Sequence, residues 1–188
     1  MNLLEIIKQQ SQKDNVPIVR DDTLTFINKY INEHGIKTVL EIGTAYGYSA
    51  YAMSLTNVRQ IVTIEKDFNS FTIASSFLKD SNKIMIINDN AFDYIPVKSF
   101  DLIFIDGPKS HQEQLINKYI NCLNPNGAII VDNIFLRKFD NIPNLTKNQK
   151  SLVKKVTEFR NWLLTNKKIK TKILDFDDGI AIILPCSS

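Results

Sequence analysis

The sequence predicts an α/β fold, a doubly wound seven-stranded sheet that is mostly parallel, with an antiparallel terminal hairpin and helices on both faces. Strand-like and helix-like segments alternate from Lys37 onward, which favours a sheet covered by helices. The short apolar runs 103–105 and 129–131 are typical of strands buried on both faces. Asp177-Asp178-Gly179 is a tight hairpin signal, so the last two strands should pair antiparallel.

Each element follows from its own local pattern. Two amphipathic helices should precede the sheet, and helices should then alternate with strands. The expected helices are 3–13, 22–34, 48–55, 68–79, 110–123 and 147–166. The expected strands are 38–42, 60–65, 83–87, 100–105, 127–131, 170–175 and 179–184. A chain of 188 residues suits one domain. We therefore expect a single domain over 1–188, with the N-terminal helices in 1–35 and the sheet core in 36–188.

Composition narrows the class of protein. Hydrophobic residues make up 44% and charged residues 23% of the chain, as in ordinary globular proteins. We expect no membrane span and no signal peptide, and the two cysteines have no metal-binding spacing, so a cytoplasmic location is expected. From Arg137 to Lys172 there are eleven Lys or Arg residues against two acids. Such a segment suits a polyanion partner, although a solvated helix would look the same.

Two of the apolar runs end in an acid. Asp106 follows the first run, and Asp132 and Asn133 follow the second. Ligands of parallel sheets gather at the carboxyl ends of the strands, and three oxygen donors there suit a hard cation such as Mg²⁺ or Mn²⁺. Asp and Asn also favour turns and helix N-caps, so these residues alone leave both interpretations open.

A glycine turn follows the first strand. Gly43 and Gly47 enclose a sequence that is neither a dinucleotide fingerprint nor a P-loop. Glu65 ends the second strand, where an acid can bind both hydroxyls of a ribose. These residues indicate a nucleoside-containing cofactor, and they do not choose between NAD and S-adenosylmethionine.

The segment 39–50, VLEIGTAYGYSA, closely resembles the first motif of class I S-adenosylmethionine methyltransferases, in the form of the cation-dependent O-methyltransferases that act on catechol and caffeoyl-CoA. The resemblance spans roughly 16–184 and implies a Rossmann-like fold. It also implies a set of residues that contact the cofactor: Val19, Glu41, Gly43, Gly47, Tyr48, Ser49, Glu65, Asp89, Asn90, Ala91 and Asp106.

The resemblance also implies the chemistry. Asp106, Asp132 and Asn133 take the places of the metal ligands, and Lys109 that of the general base. Pro108 departs from the usual family residue and could tilt Lys109, because proline fixes the local backbone. His111 is a second candidate base, although it could simply begin a helix.

The last third resembles the bacterial tRNA 5-hydroxyuridine methyltransferases in particular. The implied partner is a tRNA anticodon loop, and the implied assembly is a homodimer. The basic segment fits phosphate contacts. The aromatic residues Tyr46, Phe135 and Phe139 could stack a splayed base, although packing in the core or under a lid is the alternative. A small phenol is the alternative acceptor. A cofactor-binding RNA-interaction protein without turnover stays open, and an NAD oxidoreductase is the least favoured hypothesis.

Overall fold

The computed structural model describes residues 2–107, 111–139 and 142–186, apart from the side chain of Lys138. Seven strands form one sheet. They are β1 (Thr38–Ile42), β2 (Gln60–Glu65), β3 (Ile84–Asn88), β4 (Phe100–Ile105), β5 (Leu123–Asp132), β6 (Ile169–Leu174) and β7 (Ile180–Pro185). The described α-helices are α1 (Leu3–Lys13), α2 (Asp21–Glu33), α3 (Tyr48–Ser54), α4 (Phe68–Leu78), α5 (Gln112–Tyr119) and α6 (Lys147–Thr165).

The helices begin at capping residues that the sequence supplies. The Asn2 side chain accepts a hydrogen bond from the Glu5 amide at 2.9 Å and starts α1. Thr146 and Gln149 form a reciprocal capping box at the start of α6. These bonds satisfy amide groups that have no partner within the helix.

The strand order is β3-β2-β1-β4-β5-β7-β6. The first five strands pair in parallel, and β7 runs antiparallel to both β5 and β6. This confirms the predicted fold, including the reversed last strand. After β3 the chain crosses over to β4, which lies beside β1, so the direction of strand order reverses between β1 and β4. The carboxyl ends of strands beside such a switch point form a natural ligand crevice.

Both faces of the central strands are buried, as their apolar runs predict. Side chains of the central strands alternate between two cores. Val39 of β1, Leu102 of β4 and Ile130 of β5 pack in the core that includes residues of α1, α2 and α3. The intervening positions, such as Leu40, belong to the opposite core, to which α5 and α6 contribute. The helices therefore cover both faces of the sheet. Of the helices in the described ranges, none combines the length and the apolar character needed to span a bilayer.

Candidate active site

A cavity of about 410 Å³ opens at the carboxyl ends of β1, β2 and β4, beside the switch point. Its size lies in the range of small-molecule sites, which are about 300–1,000 Å³. The lining residues come from the ends of several strands and from the turns after them. They are Ile42, Gly43, Ile64, Glu65, Lys66, Asp89, Asn90, Ala91, Phe92, Asp106, Gly107, His111 and Leu115.

The glycine turn after β1 forms one wall of this cavity. Gly43 has a φ of +103°, and a Cβ at this position would lie 2.6 Å from the carbonyl oxygen of Asp106. Only glycine accommodates both the conformation and the close approach of β4. Gly47, with a φ of +90°, caps α3. The turn therefore brings bare backbone to the cavity and ties it to the end of β4.

Glu65 is held at the end of β2 by the main chain around it. One carboxylate oxygen accepts a hydrogen bond from the Ala45 amide at 2.8 Å, and the other accepts one from the Asp67 amide at 2.9 Å. A carboxylate oxygen has more than one acceptor site, so each can still bind a hydroxyl of a ligand. The structure thus places the predicted ribose-binding acid, oriented and fixed, on the cavity wall.

The segment Asp89-Asn90-Ala91 lines the far side of the cavity. Its side chains fold back on its own backbone, with Asp89 accepting the Asn90 amide at 2.7 Å. The next residue, Phe92, meets the His111 ring edge-on with centroids 5.6 Å apart, and both rings line the cavity. The sequence did not predict Phe92 as a site residue. The one feature that could have indicated it is its position directly after Asp89-Asn90-Ala91.

Glu41 lies behind the cavity wall, with none of its surface exposed. Ser49 and Thr63 donate hydrogen bonds to its two carboxylate oxygens at 2.5 and 2.6 Å. Burial raises the pKa of Glu41 to about 8, with a further upward contribution from the charges of Asp106 and Glu65. Glu41 therefore holds a proton at neutral pH, and the negative charge at the strand ends comes from the cavity-lining acids Glu65 and Asp106, which favour a positively charged ligand or ion.

Tyr48, at the start of α3, faces the N-terminal helices. Its hydroxyl donates to Asp21 at 2.9 Å, and Lys8 binds the same carboxylate. Hydrogen bonding to Lys8 and Tyr48 holds the pKa of Asp21 below its usual value. Val19, just before α2, is buried in the core. These contacts fix the N-terminal helices against the glycine turn.

The predicted metal ligands end two neighbouring strands. Ile105 and Val131 are paired in the parallel β4–β5 ladder, so Asp106 and Asp132 follow at the same edge. Asp132 is 2% exposed and accepts hydrogen bonds from the amide and the side-chain nitrogen of Asn133, at 2.8 and 2.7 Å. Asn133 has a left-handed φ of 62°. Because the side-chain nitrogen of Asn133 donates to this carboxylate, the side-chain oxygen is the atom that could bind a cation, and its ligand role stays a prediction.

Among the described residues, no group of three or more His, Cys, Asp or Glu side chains is arranged to hold a metal ion. The predicted set contains only two carboxylates, and its third member is an amide. The donor chemistry of Asp106, Asp132 and Asn133 nevertheless fits a hard cation, because all three offer oxygen. Residues 108–110 lie outside the described ranges, and the predicted base Lys109 is among them.

A basic and aromatic surface adjoins the Asp132–Asn133 turn. The ring of Phe135 lies 5.1 Å from the guanidinium carbon of Arg137 and 5.2 Å from that of Arg160 on α6. α6 packs through Val156, Phe159 and Leu163. Its lysines at 147, 150, 154 and 155 are exposed. Most of the basic residues of this segment therefore face outward.

A family model described as O-methyltransferase matches residues 1–185. The chain belongs to the O-methyltransferase family. This confirms the family that the sequence predicts and, with it, the class of enzyme.

Solved structures of other proteins share the fold of this O-methyltransferase. A "putative caffeoyl-CoA O-methyltransferase" of Staphylococcus aureus is 30% identical, with a TM-score of 0.89 over 98% of this chain and 93% of that one. An O-methyltransferase of Bacillus cereus, solved in complex with SAH, is 23% identical, with a TM-score of 0.80 over 97% and 90% of the two chains. The O-methyltransferase imqG of Aspergillus flavus is 30% identical over 53% of this chain, and the match spans 46% of that protein.

The cavity of this O-methyltransferase brings together six of the predicted cofactor residues: Gly43, Glu65, Asp89, Asn90, Ala91 and Asp106. The other five, Val19, Glu41, Gly47, Tyr48 and Ser49, lie around or behind it rather than among its lining residues. Their direct contact with the cofactor stays a prediction. The turn that a Cβ would fill, the fixed Glu65 and the negative charge fit S-adenosylmethionine, whose sulfonium is positive.

Proposed function

We propose that this O-methyltransferase moves a methyl group from S-adenosylmethionine to a hydroxyl oxygen in a reaction that depends on a divalent cation. The acceptor would be 5-hydroxyuridine at the wobble position of tRNA. The observation that carries the proposal is the placement of Asp106, Asp132 and Asn133 at one sheet edge, beside the cavity that suits the cofactor.

The site divides the work between two regions. Gly43, Glu65 and Asp89 would hold the cofactor, whose sulfonium supplies the methyl group, and orientation is the main task in such a transfer. Asp106, Asp132 and Asn133 would hold a cation that lowers the pKa of the acceptor hydroxyl. Lys109 stays the proposed group that takes the proton.

The basic segment supports a nucleic-acid acceptor. Phe135 follows the candidate metal-ligand turn, and the guanidinium groups of Arg137 and Arg160 lie over its ring, so an aromatic ring and two cationic groups are close together beside the site. Phosphate contacts by arginine and lysine position an RNA, and a splayed base stacks on an aromatic ring. Affinity for tRNA should then fall as the salt concentration rises, and affinity independent of salt would count against this electrostatic role.

A small phenol is the second candidate acceptor. A cavity of about 320 Å³ between α6 and the segment after Asn133 has both apolar and polar walls, with Leu136 and Phe139 on one hand and Thr157 and Arg160 on the other. Its walls suit an aromatic ring with an acidic group. The name of the Staphylococcus aureus neighbour, which mentions caffeoyl-CoA, supports the same alternative.

The deciding experiment offers labelled S-adenosylmethionine with tRNA from a strain that lacks the enzyme, and in parallel with catechol. Mass spectrometry of tRNA nucleosides then identifies the product. We expect label in a wobble uridine, loss of label with EDTA, and loss in Asp132→Ala but not in the exposed control Asp80→Ala. Label in catechol alone would refute the tRNA acceptor, and full activity in EDTA would refute the cation.

A further inference from the structure

Gln112 is a buried amide that contacts the candidate metal turn. It begins α5 and is 1% exposed. Its side-chain nitrogen donates a hydrogen bond to the backbone carbonyl of Asp132 at 3.1 Å. The two residues are twenty positions apart in the chain, so the bond joins the helix after β4 to the end of β5.

Burying the Gln112 amide in this position destabilises the fold. Within the described residues, the oxygen Oε1 of Gln112 is buried and has no hydrogen-bond partner. Leaving such an acceptor unsatisfied carries a free-energy cost, because the group loses its hydrogen bonds to water. A leucine of similar volume would fill the space without this cost, so packing alone does not account for a glutamine here.

The backbone on the other side of the turn is also fixed. The amides of Ile134 and Phe135 donate to the carbonyls of Gly179 and Asp178, at 3.2 and 2.7 Å. Asn133 lies between these bonds and the Gln112 bond, in a left-handed conformation. A non-glycine residue adopts that conformation at a cost, and it persists only where its surroundings determine it.

We propose that Gln112 is a positioning residue for the cation, acting through the backbone of Asp132. It holds the end of β5 so that the Asp132 carboxylate keeps accepting the hydrogen bonds that the backbone and side-chain nitrogens of Asn133 donate. The inference rests on the proposed cation dependence. Loss of a residue that orients a metal ligand typically costs about 10–100-fold in metal affinity.

The test compares Gln112→Leu with Gln114→Leu, an equal substitution on the exposed side of the same helix. Calorimetric titration of cofactor-free protein gives the dissociation constant for Mn²⁺, and a second titration gives the constant for SAH. We expect Mn²⁺ affinity to fall about 10–100-fold in Gln112→Leu. SAH affinity should stay at the wild-type value, Gln114→Leu should resemble wild type, and excess metal should restore kcat.

The possible results separate the two proposals. Wild-type protein that binds no Mn²⁺ refutes the cation dependence, and the positioning role falls with it. Normal Mn²⁺ affinity in folded Gln112→Leu refutes the positioning role alone. An equal loss of Mn²⁺ and SAH binding also refutes it, because the damage is then general. Gln112→Met, whose flexible side chain adapts to irregular space, gives the same comparison if the leucine variant does not fold.

Discussion

Replacing Glu41 by glutamine should remove a pH dependence from the stability of the fold. Burial holds the pKa of Glu41 at about 8 in the folded protein, against 4.5 ordinarily. Between these values the unfolded chain releases the proton while the folded chain keeps it, so rising pH favours unfolding. Below 4.5 both states are protonated, and above about 8 both are ionised. The stability therefore changes with pH only between these values, and the loss persists at higher pH. The amide of the Glu41→Gln variant would not titrate.

The expected magnitude follows from the interval between the two pKa values. One pKa unit corresponds to about 1.4 kcal/mol, so the wild type should lose up to something on the order of 5 kcal/mol relative to Glu41→Gln across this window. The hydroxyls of Ser49 and Thr63 can donate or accept, so they can bond the new amide. The variant should therefore fold and should be the more stable protein at the alkaline end.

Urea denaturation at pH values between about 5 and 8 measures this difference. The protein is kept free of cofactor, with EDTA present, so that no ligand binds near the carboxylate. Glu113→Gln, which changes an exposed carboxylate on α5, is the matched control and should follow the wild-type curve. Parallel curves for wild type and Glu41→Gln would show that Glu41 is ionised in the fold, and the reasoning would be refuted.

Three further substitutions test the turns and the cofactor cavity. Gly43→Ala places a Cβ 2.6 Å from a backbone carbonyl, so thermal unfolding should occur earlier and SAH should bind more weakly. Gly179→Ala places a Cβ 2.1 Å from a phenylalanine ring and should also lower the unfolding temperature. Gly35→Ala is the control for both, because Gly35 has a positive φ but an added Cβ would meet nothing within 4 Å. This variant should lose only about 1–2 kcal/mol of stability. An equal loss of stability in the three glycine variants would contradict the steric argument. Glu65→Gln should weaken the binding of SAH roughly 10–100-fold, because hydrogen bonds to a charged group contribute about that much affinity. Calorimetric titration measures the dissociation constant. An unchanged constant would show that Glu65 does not bind the ribose.

Local patterns predict most of the fold. The helix expected at 3–13 and the strand expected at 60–65 match α1 and β2 at both ends. β5 shows where such patterns fail, because a strand was expected over 127–131 and the structure has Leu123–Asp132. The sequence Asn124-Pro125-Asn126-Gly127 is typical of a turn. This turn-like segment nevertheless lies within β5, because Leu123 before it pairs with Phe100 across an irregularity in the β4–β5 ladder.

The sequence by itself determined the order of the elements, the glycine turn and the acids at the strand ends, since these depend on neighbouring residues. The tertiary structure decided which of them meet. Strand order brings Asp106 beside Asp132. Packing against Ser49 and Thr63 holds Glu41 behind the cavity wall rather than on it. The Gln112 bond to Asp132 likewise depends on two segments packing together, and no local pattern records a contact between residues so far apart in the chain.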